Sequence, residues 1–358
     1  MPTETAAALR EAGLFRVLQP RAFAGYEQDY DVFLEVVMEL AAACASTAWV
    51  YAIAAGQHVI AANFPPAAQE EIWSDRDAIT CGSYLPQGEA VPVPGGVRLT
   101  GKWSFVSGCD IADWAIIGTV MPLAEGPQPC FVLVPRADFA IDDNWHTVGL
   151  AATGSKNILL KAAFVPDHRV LPVARMTRLR SATECAYQNP SYRLPMLSFV
   201  PSALGATVLG AARGAIADFI TATRARTTRG GLSQGQSPVA GYAGVQMRIA
   251  EALAASDAAE TIMLRDMKQA LATLRSGRLS PEDRIAMRRG QAFSVRLALQ
   301  AVELVANATG VSGIFSDNPV HRAFRDAVAA SRHISLNWDA VATLVGAHAL
   351  GLEPKGNY

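Results

Sequence analysis

The chain is 358 residues long, more than one core ordinarily holds, and 51% of it is hydrophobic, which points to a soluble, mostly helical protein of two or three domains. Its 31 Lys and Arg against 32 Asp and Glu leave a formal net charge of −1, which speaks against nucleic acid or an anionic membrane as partner, since either needs a basic face. The five cysteines (Cys44, Cys81, Cys109, Cys130, Cys185) are an odd number at irregular spacing and fit reduced thiols in a cytoplasm.

The opening MPTETAAALREAG lacks the basic and apolar regions of a signal peptide. Residues 5–75 read as helices, with apolar residues at three- and four-residue spacing through YDVFLEVVMELAAACASTAWVYAI and a proline-led helix in PPAAQEEIW. The texture changes near residue 77. From there to about 175, short β-branched runs such as GGVRLTGKWSFVSG, DWAIIGTVM, PCFVLVP and NILLKAAFVP alternate with Pro and Gly and read as strands. From about 195 the helical period returns in four long segments, interrupted by the Gly- and Ser-rich loop 226–242. The most apolar stretch, 199–212, is expected to be too short to span a bilayer. The expected division is a helical domain over 1–76, a β domain over 77–178 and a four-helix bundle over 179–358.

Familiar site motifs are missing. No G-x-G-x-x-G follows a strand, no G-x-x-x-x-G-K-[ST] occurs, and no G-x-S-x-G elbow is present. The glycines of GATVLGAARGA stand at helical spacing and suit close helix packing. The six histidines are scattered, with no i, i+4 pair to hold a metal. Cys109 beside Asp110 and Asp113 lacks a second Cys or His and reads as a buried small hydrophobe. What remains are polar residues in apolar settings: His58, Ser83, Ser107, Thr153, Ser155 and His333, the last placed on the final long helix.

Three local stretches give these residues a context. LTGKWSFVSG resembles the strand that lies against the flavin in the acyl-CoA dehydrogenase superfamily, RTTRG resembles its R-x-x-F-G element with Arg229 in the aromatic position, and HRAFRDA resembles its R-x-x-R-D-A helix. The order of helices, strands and bundle resembles that superfamily over nearly the whole chain, implying an α+β fold that is mostly α. The catalytic glutamate that follows R-D-A in acyl-CoA dehydrogenases has no counterpart, because VAASRHISL offers His333 and no carboxylate between Asp326 and Asp339. Together with CASTAWVYAIAAGQH, TCGSY and NWHTVGLAATGS, this resembles the flavin-dependent monooxygenases built on the same fold, the oxygenase components of two-component hydroxylases.

That resemblance implies reduced FAD or FMN delivered by a separate NAD(P)H:flavin reductase, O₂ as co-substrate, a C4a-hydroperoxyflavin, and a small aromatic, phenolic or polyketide-like substrate. It implies a homotetramer in which Arg226 and the segment 308–315 serve a neighbour's flavin. Ser83 and Ser107 fall near the flavin, Ser107 toward its N5, with Thr153 and Ser155 beside them and Trp103 and Phe105 as wall. Trp49, His58 and His333 line the substrate. His333 is expected to accept the phenolic proton and His58 to orient the ring, roles that remain interchangeable. The alternatives are an N-hydroxylase or sulfur monooxygenase of the same branch, an acyl-CoA dehydrogenase with its base elsewhere, and a scaffold without activity.

Overall fold

A computed structural model describes residues 1–123, 126–177, 185–228, 235–356 and 358. Five helices come first: α1 (Thr3–Glu11), α2 (Tyr30–Ala43), α3 (Ala45–Gly56), α4 (His58–Ala61) and α5 (Pro66–Trp73). Phe33, Leu34, Val37, Met38 and Ala41 form the buried stripe of α2, at the spacing of one helix face. Most residues of α3 are buried, so this helix is enclosed rather than amphipathic.

Eight strands follow: β1 (Thr80–Ser83), β2 (Glu89–Val93), β3 (Gly96–Val106), β4 (Trp114–Leu123), β5 (Gly126–Pro135), β6 (Ala140–Asp142), β7 (Lys156–Pro166) and β8 (Val170–Pro172). They form two four-stranded sheets, ordered β1-β4-β5-β8 and β2-β3-β7-β6. Only the β1–β4 pair is parallel among the described strands. The alternation of side chains along a strand divides β4 and β5 between two cores. Ala115, Ile117, Val132 and Val134 face the sandwich interior, while Ile116, Phe131 and Leu133 join the helical core. The first sheet is therefore apolar on both faces, which explains its continuous hydrophobic runs.

After α6 (Ala174–Thr177) come α7 (Met196–Ala225), α8 (Ala243–Ser276), α9 (Pro281–Ala308), α10 (Pro319–Ser331) and α11 (Trp338–Ala349). Ser280 and Asp283 close a capping box at the start of α9, with Pro281 in its first turn. The glycines in α7 allow contact with the N-terminal helices. A Cβ on Gly210 would lie 2.3 Å from the Met38 carbonyl oxygen, and one on Gly214 2.1 Å from that of Ala42. One continuous core thus runs from α1 through the bundle. The membrane expectation is corrected in its reason. By length and composition α7 can cross a bilayer, but 78% of its most apolar window is buried in the fold.

The last segment is not one helix. It breaks after Ser331 into a 3₁₀ turn over Ile334–Leu336 before α11 begins, and the Asn337 side chain caps α11 by accepting from the Ala340 N–H. His333 therefore sits at a break between helices.

Trp103 is also relocated. Its side chain is 0% exposed inside the sandwich, and its indole N–H donates to the Gly118 carbonyl at 2.7 Å. It belongs to the sandwich core and cannot form a wall for a ligand. Trp103→Ala should lower unfolding stability by about 3–5 kcal/mol, read by chemical denaturation, because it opens a cavity and orphans that carbonyl. An unchanged midpoint would contradict this placement.

Candidate active site

Three elements converge on a row of hydroxyls. Trp49 comes from α3, Ser107 from the turn after β3, and Thr153 and Ser155 from the turn entering β7. All four side chains are buried. Trp49 Nε1–H donates to Ser107 Oγ at 3.1 Å, Ser107 and Ser155 share a hydrogen bond of 2.7 Å, and so do Ser155 and Thr153. Thr153 Oγ1 in turn lies 2.8 Å from the Leu150 carbonyl. A carbonyl only accepts and an indole N–H only donates, so the direction is settled along the whole row. Thr153 gives its hydrogen to Leu150, Ser155 gives to Thr153, and Ser107 gives to Ser155. Ser107 is left with a spare lone pair and no spare hydrogen.

The backbone that builds this row is unusual. Phe105 adopts φ +61° and Leu150 φ +54°, left-handed conformations that side chains other than glycine rarely take. The ladder between β3 and β7 shifts register between Trp103 and Val106. Gly108, at φ +76°, donates its N–H to the Thr153 carbonyl, and a Cβ there would meet Val50 Cγ1 at 2.7 Å. Only glycine lets α3 come this close. The Leu150 turn is tied to the bundle by Asp326, whose Oδ1 accepts the Leu150 N–H at 2.6 Å. Burial raises the pKa of Asp326, and the bond from Leu150 opposes that shift.

His333 approaches from the other side. Its ring stands edge-on to Trp49, with centroids 6.1 Å apart at 62°. Its Nδ1 lies 2.7 Å from Ser335 Oγ and accepts the Ser335 backbone N–H at 3.3 Å. Burial lowers its pKa, and the Arg288 guanidinium lowers it further, so the ring is neutral near pH 7. A backbone N–H can only donate, so Nδ1 holds the lone pair and the hydrogen of the neutral ring is on Nε2. The expected general-base role thus falls differently on the ring: in this tautomer Nε2–H is a donor, and the basic nitrogen, Nδ1, is turned to Ser335.

The acyl-CoA dehydrogenase C-terminal domain family matches residues 202–338. The FADH(2)-dependent resorcinol hydroxylase, oxygenase component, of Rhizobium sp. (strain MTP-10005) is 44% identical, a match that spans 100% of this chain and 90% of that protein. The chain belongs to the flavin-dependent oxygenase components of the acyl-CoA dehydrogenase fold. Two solved structures superpose closely. The 3-HSA hydroxylase from Rhodococcus sp. RHA1 has a TM-score of 0.90 at 30% identity, covering 99% of this chain and 92% of that one. XiaF from Streptomyces sp., in complex with FADH2 and glycerol, has a TM-score of 0.91 at 30% identity, covering 99% and 90%.

The oxygenase fold gathers some of the expected residues and scatters others. Trp49, Ser107, Thr153, Ser155 and His333 come together. Phe105 stands beside them, 72% exposed and edge-on to Trp145 at 6.2 Å. A strained, solvent-facing aromatic next to a buried acceptor fits a flat ring that donates an N–H, which is what a reduced flavin presents. Ser83 ends β1, half-buried, with no side-chain hydrogen bond among the described residues. Arg226 donates to the Thr309 carbonyl at 2.8 Å and so braces the end of α9 rather than the hydroxyl row. Arg229 lies outside the described residues.

Cys109 is buried, with its thiol 3.6 Å from the Gly154 carbonyl. Asp110 pairs with Lys156 and Asp113 with Arg10, so both carboxylates are engaged within the fold. Sequence reasoning passed over Asp326, Arg288 and Ser335. Of these, only Asp326 carried a signal, in HRAFRDA. An open groove of about 540 Å³ lined by Glu71, Trp114, His168 and Arg169 shares no residue with the row. Within it, Glu71 takes bonds from both His168 and Arg169.

His58 is the main correction. It is 1% exposed, its Nε2 bonds the Phe15 carbonyl at 2.9 Å, and its Nδ1 accepts from the Trp73 indole at 3.1 Å. Both nitrogens are used within the fold, which leaves none for a substrate. Burial pulls its pKa from 6.5 to about 4. The native state disfavours the imidazolium while the unfolded chain accepts it. Stability from His58 is therefore full above pH 6.5 and is lost as pH falls toward 4, by about 3 kcal/mol. Urea unfolding at stepped pH should show this component in the wild type, and His58→Gln should flatten it. An unaltered pH slope in the variant would place His58 elsewhere.

Proposed function

We propose that this chain is the oxygenase component of a two-component hydroxylase that uses reduced flavin and O₂ to hydroxylate a small phenol. The observation that carries this is the pairing of a one-way hydroxyl row with a donor imidazole across Trp49. Reduced flavin supplies the two electrons that let O₂ yield one oxygen atom for the ring and one for water. Ser107 would accept the flavin N5–H with its spare lone pair, while Trp49, Ser155 and Thr153 hold its own hydrogen away. Phe105 and Trp145 would flank the ring. Ser107 is only 3% exposed, and limiting water there would guard against loss of the oxygen as H₂O₂. His333 offers Nε2–H to the phenolic oxygen.

FADH2 is the flavin of choice, as named for the resorcinol hydroxylase and for the XiaF complex. It comes from a separate reductase, because the chain has no nicotinamide-binding motif. A homotetramer is part of the reading: Val311, Ile314 and Phe315 expose apolar surface next to the Thr309 carbonyl that Arg226 holds, where a neighbour can cover it. The five free cysteines support a reducing cytoplasm. Acyl-CoA dehydrogenation is disfavoured, since Asp326 already accepts the Leu150 N–H and no other carboxylate precedes Asp339 in the stretch that follows R-D-A.

The test mixes the protein with anaerobically reduced FAD and a panel of phenols, including resorcinol, then admits O₂ and measures product and H₂O₂. The expected result is a hydroxylated phenol formed in proportion to the flavin oxidised. Recovery of all the oxygen as H₂O₂ with every phenol, combined with reduction of bound FAD by an acyl-CoA, would overturn the reading.

A further inference from the structure

Arg288 lies on α9, only 6% exposed, and no carboxylate is paired with it among the described residues. Its guanidinium donates to Gln291 Oε1 and to the Ser335 carbonyl, both at 2.6 Å. Gln291 is itself fixed by three bonds to α7, from Nε2 to the carbonyls of Leu197 and Ser198 and to Ser202 Oγ. A buried cation without a counter-ion is an expensive arrangement, and burial alone brings its pKa down to about 10. The same guanidinium holds Ser335, and Ser335 gives its backbone N–H to His333 Nδ1.

Among the described residues, the surroundings of His333 contain no compensating anion. Trp49 faces it from α3, Ser198 and Ser202 are the polar groups α7 offers at Gln291, and Asp326 on α10 points to Leu150. The missing counter-charge is one that a ligand can bring.

We infer that Arg288 and Ser335 are positioning residues for the hydroxylation: they hold His333 as a neutral ring with Nε2–H offered to the substrate, and the unpaired charge of Arg288 makes this a site for a phenolate. The inference rests on the phenol-hydroxylase reading. A phenol entering the site gives its O–H proton to solvent, and the oxyanion takes the Nε2–H bond within the field of Arg288. No side chain has to act as base. The ionised ring is the better nucleophile toward an electrophilic oxygen, so the buried cation serves the chemistry it is unpaired for.

The test uses 4-nitrophenol, whose phenolate is yellow, bound to the full-length protein with anaerobic reduced FAD. Bound probe should ionise at a pH about one unit below that of free probe, a tenfold preference for phenolate. Arg288→Met should return it to the free value, Arg288→Lys should keep most of the shift, and Ser335→Ala should lose part of it with rescue by Ser335→Thr. The same ionisation pH in Arg288→Met and wild type would overturn the inference and leave the hydroxylase reading intact. Failure of the wild type to bind any phenol would overturn that reading and the inference with it. A second readout needs no folded Arg288 variant. The ¹⁵N shifts of His333 in the wild type, assigned by loss in His333→Gln, should report a neutral ring protonated at Nε2, and a proton on Nδ1 would overturn the inference.

Discussion

The N–H of Trp49 and the carbonyl of Leu150 are the two ends of one hydrogen-bonded row, and neither end can reverse its role. Between them Ser107, Ser155 and Thr153 must each point the same way. The row joins α3 of the helical layer to two turns of the sandwich, so it aligns the two halves of the fold at the proposed site of the chemistry. It also gives Ser107 a fixed electrostatic character. A lone serine hydroxyl can turn to donate or accept, whereas this one can only accept.

Much of the surrounding structure supports that geometry. Asp326 holds the Leu150 turn, and Gly108 lets α3 approach closely enough for Trp49 to reach. Phe105 and Leu150 are kept in backbone conformations that cost of order 1–3 kcal/mol each, and they persist because the neighbouring bonds over-determine them. On the opposite side, Arg288, Gln291 and Ser335 do for His333 what the row does for Ser107. Each constrains which atom of a versatile side chain bears the hydrogen. The site thus combines a fixed acceptor and a fixed donor, two groups that would otherwise exchange roles with the solvent.

Periodicity was enough to read the order of helices, sandwich and bundle, and the small residues of α7 did mark close packing against α2. It failed where tertiary contacts override local pattern. Trp103 and Phe105 share a strand parity, yet one is inside the sandwich and the other on its surface, because the register shifts between them and Phe105 takes a positive φ without a glycine to announce it. His333 lay within a continuous helical period, and the break there depends on caps by His333 and Asn337. His58 looked like a ligand-facing polar residue in an apolar helix, but its two partners, Phe15 and Trp73, are distant in sequence. Arg288 resembled any charge on a long helix. Its burial and its lack of a carboxylate partner among the described residues are properties of the packed bundle alone.

The central claim is that the direction of the hydroxyl row, and not merely the presence of Ser107, keeps oxygen on the path to product. The most direct measurement is the share of O₂ released as H₂O₂ by Ser155→Ala, turning over a phenol it shares with the wild type. This variant leaves Ser107 and Trp49 in place but removes the acceptor of the Ser107 hydrogen. The account predicts that H₂O₂ rises at the expense of product while the affinity for reduced FAD is little changed. Coupling in Ser155→Ala equal to that of the wild type would contradict it.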